Sequence, residues 1–135
     1  MDLTKQIPRS PYDLNYQIVM LPRTTDKAKA FNAGKLGEYH YNCPLDKPLL
    51  EFLKIDANTF ASKVKELESD EKIADWLGKV AKRTQKEKDA FNNKMRHSTP
   101  KDKGSLAWME TEKKKLGRND YFTYFDNIDA DEKRF

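Results

Sequence analysis

The sequence has almost no cysteine and no long apolar segment. Cys43 is the single cysteine among 135 residues, which excludes an internal disulfide framework. No stretch approaches the roughly 20 apolar residues of a membrane-spanning helix. The opening residues, MDLTKQIPRSPYD, lack the apolar core of a signal peptide. We therefore expect a cytoplasmic protein with no membrane partner.

The sequence also lacks a strong excess of one charge. Lys and Arg number 26 against 22 Asp and Glu, which gives a net charge of +4. The one basic run, Lys113–Lys115, falls at the expected end of a helix, where it favours the helix dipole. Nucleic-acid binders typically carry a basic stripe interleaved with stacking aromatics, and none is present here. We expect no nucleic-acid partner.

What the sequence does contain is amphipathic helical spacing. Phe60, Val64 and Leu67 share one helical face, and further apolar residues repeat at the same period after them. Thr84 and Glu87 have the spacing of a capping box. These patterns predict an all-α fold: a compact single domain, residues 1–135, of about six short helices.

Individual helix boundaries follow from capping residues. We expect a first helix capped by Thr24 or Thr25 and ended by Gly34. Asp46 is the predicted N-cap of the next helix. A later helix is expected to begin at Thr99-Pro100-Lys101-Asp102 and to stop at Gly117. Two further features, the tryptophans and the aromatic C-terminal tail, are expected to pack on the core: Trp76, Trp108, Tyr121, Phe122, Tyr124 and Phe125.

Residues 1–22 are harder to interpret. From Tyr12 to Met20, apolar residues alternate with mostly polar ones, as in a β-strand, but no second convincing strand is available to pair with them. We therefore predict an extended N-terminal arm over residues 1–22, turning helical near Ile18, laid on a helical body of residues 23–135.

The densest chemical stretch is GEYHYNCPLD, residues 37–46. A cysteine acts as a nucleophile when a neighbour lowers its pKa or accepts its proton. His40 lies three residues before Cys43, and Glu38 lies two residues before His40, so these three are the candidate catalytic residues. In the alternative interpretation, Cys43 is a packed thiol and His40 satisfies a backbone carbonyl.

A metal site is the less favoured interpretation of this loop. Structural zinc takes four ligands, mostly Cys and His, whereas the chain has one cysteine and two histidines. We assign no metal ligands and expect no cofactor.

Pro-Arg followed by aspartate occurs twice before the loop, with Arg9 near Asp13 and Arg23 near Asp26. Such a pair either fixes a loop or presents a guanidinium to a carboxylate or phosphate ligand. The candidate ligand-binding residues combine these groups with polar side chains of the arm and loop: Arg9, Tyr12, Arg23, Asp26, Tyr39, Tyr41, Asn42 and Asp46.

Three segments, LTKQIPRSPYD, LPRTTDKAKAFNAGKLGEYHYNCPLD and TYFDNIDADEKRF, resemble a bacterial family classified only as a domain of unknown function, DUF5069. The resemblance covers nearly the whole chain and is most specific at GEYHYNCPLD. It implies a bacterial single-domain protein and brings no catalytic residues. Family members are often glycine-rich after the PRSPYD-like stretch, where this chain has Leu14-Asn15-Tyr16.

Two functions remain open. In the first, the loop forms a pocket for a small polar or anionic molecule, with or without catalysis. Arg23 would anchor the anion, and His40 would act as base or donor, its tautomer fixed by Glu38 or Asp46. In the second, the protein is a non-enzymatic interaction module, and the loop is structural.

Overall fold

The computed structural model describes all 135 residues and confirms a mostly α-helical single domain. It has seven helices, one more than expected, and a short β-hairpin within the predicted arm. None of the helices combines the length and apolarity needed to cross a membrane. In chain order the elements are β1 (Leu14–Asn15), β2 (Ile18–Val19), α1 (Leu21–Ala33), α2 (Asp46–Leu53), α3 (Ala57–Leu67), α4 (Asp70–Val80), α5 (Gln85–Arg96), α6 (Lys103–Leu116) and α7 (Tyr124–Asp131).

The main core is built from the hairpin and from every helix except α6. It consists of 17 buried residues, and its largest fully buried side chains include Phe60 of α3 and Phe125 of α7. Helix α6 buries only Met109, which packs in a separate small cluster with Tyr121 and Ala130. Most of the surface of α6 is therefore left open to solvent.

The hairpin explains the strand-like pattern of the arm. Strands β1 and β2 pair with each other in antiparallel register, so the partner strand is local. The connecting residues Tyr16 and Gln17 have φ of +52° and +59°, the sign that a type I′ turn requires at both positions. Asn92 of α5 accepts a hydrogen bond from Val19 N at 3.0 Å and donates one to Gln17 O at 2.9 Å. The expected helical turn near Ile18 is wrong because this pairing satisfies the backbone there.

Helix α1 begins earlier than its threonines suggested. It starts at Leu21, directly after the hairpin, with Pro22 in its first turn, where a missing N–H costs little. Thr24 and Thr25 are fully buried inside the helix rather than capping it, and Thr25 Oγ1 donates to Leu21 O at 2.7 Å. The predicted end at Gly34, which has φ of +66°, is confirmed.

Helix α6 begins later than predicted. Its N-cap is Asp102, whose carboxylate accepts a hydrogen bond from Ser105 N at 2.8 Å, and not Thr99. Aspartate caps helices at least as well as threonine, and this one lies three residues further along the chain. The stop at Gly117 and the capping box of Thr84 with its N3 glutamate are confirmed.

The two tryptophans differ in burial. Trp76 is partly buried and packs against the core, with its ring centroid 6.5 Å from that of Phe60. Trp108 is 47% exposed, so the prediction that it lies in the core is wrong. Trp108 does lie on α6 as its spacing predicts, but α7 and the 43–45 loop cover that side of the helix only in part. The aromatic tail docks in part: Tyr121 and Phe125 are buried and Tyr124 is partly buried, but Phe122 is 39% exposed, so the prediction is wrong for Phe122.

Candidate functional site

Asp46 lies at the centre of a buried polar network between α1 and α2. It is the first residue of α2 rather than its N-cap, and its carboxylate accepts hydrogen bonds from Thr24 Oγ1 and Lys27 Nζ, both at 2.8 Å. Thr24 and Lys27 share a face of α1 because they lie three residues apart. Lys27 Nζ also lies 3.2 Å from Cys43 Sγ. The thiol therefore adjoins a buried ammonium group.

Arg23 and Tyr39, both predicted to bind a ligand, converge on a single carboxylate that belongs to Glu132. Arg23 Nη1 and Nη2 donate to the two Glu132 oxygens at 2.9 and 2.8 Å, and Tyr39 Oη donates at 3.0 Å. Arg134 also donates to this carboxylate. The anion-binding geometry expected of Arg23 is thus present, and the chain's own glutamate occupies it.

The electrostatics of Glu132 follow from these contacts. Burial alone raises the pKa of Glu132, but the hydrogen bonds and charge of Arg23, helped by Arg134 and Tyr39, outweigh burial and hold the pKa below its ordinary value. The side chains of Arg23 and Glu132 are only 6% and 5% exposed. Sequence reasoning missed Glu132 and Arg134, since nothing in their spacing points to a partner more than 100 residues away.

Arg9 pairs with Asp26 rather than with Asp13, its neighbour in sequence. Its Nε and Nη2 donate to Asp26 at 3.1 and 3.0 Å, and Nη2 also donates to Asp70 at 3.1 Å. The Arg9 hydrogen bond lowers the pKa of Asp70, and the same bond raises the pKa of Arg9 above its usual range. Asp13 instead accepts from Ser10 N at 3.2 Å. Arg9 therefore ties the N-terminal segment to α1 and α4.

The remaining predicted tyrosines are engaged by the protein itself. Tyr12 Oη donates to Asp126 at 2.6 Å, and burial, reinforced by this bond, raises the pKa of Tyr12 to about 12. Tyr41 Oη donates to Ala57 O at 2.7 Å, and burial raises its pKa as well. Both hydroxyls are neutral donors that fasten the arm and the loop to neighbouring helices.

The other candidate residues of the loop face solvent. Glu38, His40 and Asn42 are exposed, and of the three only Asn42 borders a cavity. Asp46, one of the two carboxylates proposed to orient His40, is bonded to α1 instead. No group of three or more His, Cys, Asp or Glu side chains is arranged to hold a metal ion. An acid–base–nucleophile set of Glu38, His40 and Cys43 stays a prediction.

A cleft adjoins the C-terminal part of the loop. Its first chamber, a cavity of about 430 Å³, lies between the loop and the start of α6, and is lined by Cys43, Pro44, Leu45, Gly104, Ser105, Trp108 and Tyr124. The Trp108 and Tyr124 ring centroids lie 6.2 Å apart with their planes tilted by 37°. A second chamber of about 380 Å³ shares Pro44, Leu45 and Tyr124 with the first. It continues to Pro48, Glu51, Lys94, Met95 and Ser98. The cleft is thus mainly apolar in the first chamber and more polar in the second.

The fold and these contacts define a small helical domain whose predicted anion-binding residues are engaged internally and whose open cleft lies beside Cys43. The family model described as Domain of unknown function (DUF5069) matches residues 5–134, so the chain belongs to this family. The resemblance seen in the sequence is thereby confirmed. A search of curated proteins finds no match to the chain.

Proposed function

We propose that the protein binds a small polar molecule with an apolar part in the cleft beside Cys43–Leu45. The observation that carries this proposal is the indole of Trp108, which is 47% exposed and lines a cavity together with the loop. Small-molecule sites are typically concave, mainly apolar, and carry a few polar groups that orient the ligand. The proposal includes a cytoplasmic setting, where a thiol such as that of Cys43 stays reduced.

Few of the predicted site residues line the cleft. Cys43 is the one candidate catalytic residue that lines it, and Lys27, rather than His40, is the titratable group beside the sulfur. Arg23 and Tyr39 contribute indirectly, because their bonds to Glu132 hold the loop and α7 in place. Any reaction in the cleft would therefore centre on Cys43, with Lys27 and Asp46 behind it.

A non-enzymatic interaction module is the second candidate function. The observation that favours it is the exposed surface of α6, where Leu106 and Trp108 are 38% and 47% exposed and only Met109 is buried. Under this function, Trp108 would anchor a partner protein, as exposed aromatic residues often do. The loop would then be structural.

Binding of small molecules separates the two functions. In a Trp76→Phe background, Trp108 is the sole tryptophan, so its fluorescence reports on the first chamber directly. A library of small amphipathic fragments should quench or shift this fluorescence and give ligand-detected NMR signals. Trp108→Ala, tested in the wild-type background by NMR, should weaken binding by about tenfold or more, the loss typical of removing an aromatic anchor.

Leu106→Ala is the matched control, since Leu106 is also exposed on α6 but does not line the cleft. It should leave fragment binding unchanged. Fragments that bind equally well to Trp108→Ala would place binding elsewhere and contradict the proposal. A library without binders, combined with a purified partner protein whose binding both α6 variants weaken, would favour the interaction module.

A further inference from the structure

The second chamber of the cleft contains two exposed charges of opposite sign. Glu51 of α2 and Lys94 of α5 both line it, and both also line an adjoining cavity of about 530 Å³ between these helices. None of the salt bridges in the structure involves either residue. The two charges border the same second chamber without forming a salt bridge with each other, and the adjoining cavity is also lined by Glu87.

The apolar surface continues from this charged region into the first chamber. Pro44, Leu45 and Tyr124 belong to both chambers, and Trp108 lies beyond them. A ligand held between the two charges could therefore extend an apolar group along Leu45 toward the aromatic rings. The two chambers have volumes near the lower end of those typical for small-ligand sites, which suits a compact molecule.

We infer that the cleft recognises a free α-amino acid with an aromatic or large apolar side chain. This inference rests on the proposed function and names its ligand class. Lys94 pairs with the carboxylate of the ligand, Glu51 pairs with its ammonium group, and Leu45, Tyr124 and Trp108 receive the side chain.

Charge complementarity favours a zwitterion over a simple anion or cation. An anion bound to Lys94 would also meet the like charge of Glu51, and a cation bound to Glu51 would meet Lys94. A zwitterion satisfies both residues at once. A strongly polar side chain would lose its hydration against Leu45 and Trp108 without gaining partners, so an apolar side chain fits best.

Three probes that share a phenyl group and differ in the charged groups they carry test this inference by calorimetry or ligand-detected NMR. L-phenylalanine carries both charged groups, 3-phenylpropanoate lacks the ammonium group, and 2-phenylethylamine lacks the carboxylate. Phenylalanine should bind about tenfold more tightly than either analogue, as expected for one additional charge-assisted contact.

Variants of the two charged residues should remove this discrimination separately. Glu51→Gln should bring phenylalanine and 3-phenylpropanoate to similar affinities, and Lys94→Gln should do the same for phenylalanine and 2-phenylethylamine. Glu71→Gln and Lys86→Gln are matched controls, because both residues are exposed and neither lines the cleft. They should leave the ranking of the three probes unchanged.

Several results would overturn the inference. Equal affinity for phenylalanine and 3-phenylpropanoate would show that no ammonium group is recognised. An unchanged ranking in both Glu51→Gln and Lys94→Gln would place binding elsewhere. If none of the probes binds at millimolar concentration while fragments still report on Trp108, the ligand class is wrong and the cleft function stands. If the fragments fail as well, both proposals fail.

Discussion

The buried ammonium group of Lys27 lies 2.8 Å from a carboxylate oxygen of Asp46, and this ion pair joins α1 to α2 behind the cleft. The two side chains are 5% and 0% exposed, so removing one leaves the other buried without its partner. We expect Lys27→Met to lower the free energy of unfolding by about 3–5 kcal/mol. Urea denaturation measures this, with the exposed Lys47→Met as control. A loss no larger than that of the control would contradict the prediction.

The contact between Arg23 and Glu132 should make stability depend on acid pH. The pKa of Glu132 lies below its ordinary value of 4.5 in the folded protein. As the pH falls, the Glu132 carboxylate is therefore protonated at a higher pH in the unfolded chain than in the folded protein. The resulting stabilisation is complete above the unfolded pKa and is lost as the pH falls through the folded pKa. We expect the wild type to lose stability below about pH 5, and Glu132→Gln to lose less over the same range.

Chemical denaturation across this pH range gives the comparison. Glu132→Gln should also be less stable than the wild type at neutral pH, because a neutral amide replaces the charged partner of Arg23. The exposed Glu38→Gln serves as control and should follow the wild-type profile. Parallel profiles for the wild type and Glu132→Gln would show that Glu132 does not cause the acid dependence.

Gly37 should tolerate alanine less well than Gly34 does. Both have positive φ, +62° and +66°, so each substitution carries the left-handed cost of about 1–2 kcal/mol. At Gly37 the added Cβ would also lie 3.0 Å from Leu3 O, whereas at Gly34 nothing lies within 4 Å. Gly37→Ala should therefore melt at a lower temperature than Gly34→Ala. Equal melting temperatures would mean that the N-terminal segment moves aside without cost.

The capping box of α5 should have a measurable share in stability. Thr84 Oγ1 accepts from Glu87 N at 3.1 Å, and the Glu87 carboxylate accepts from Thr84 N at 2.9 Å. Thr84→Ala should cost about 1 kcal/mol in denaturant unfolding, the usual value for an N-cap. Thr111→Ala, at an exposed position within α6, is the control and should have little effect. A comparable loss in the control would rule out capping as the cause.

Some features encoded by neighbouring residues could be predicted from the sequence, although the caps expected at Thr24 or Thr25 and at Asp46 were wrong, and features that depend on distant partners could not. The capping box at Thr84 and the stop at Gly117 need only a few adjacent residues, and both predictions were correct. The partner of Arg23 is 109 residues away, so its local spacing could not reveal it. Trp108 shows the same limit, because helical periodicity cannot tell whether another element covers a face. The cleft depends on the incomplete cover of that face and was missed for the same reason.

The bonds from Glu132 and Arg134 back to the start of the chain have a consequence for biosynthesis. Arg134 donates to Pro8 O, which lies 126 positions earlier, and Glu132 is the counter-charge of Arg23. While only the residues up to the end of α6 have left the ribosome, Glu132 is not yet available. Arg23 is then either exposed to water or buried without a partner. Contacts of such long sequence separation form late and slow folding. We expect the domain to close cooperatively only after residues 124–134 have left the ribosome.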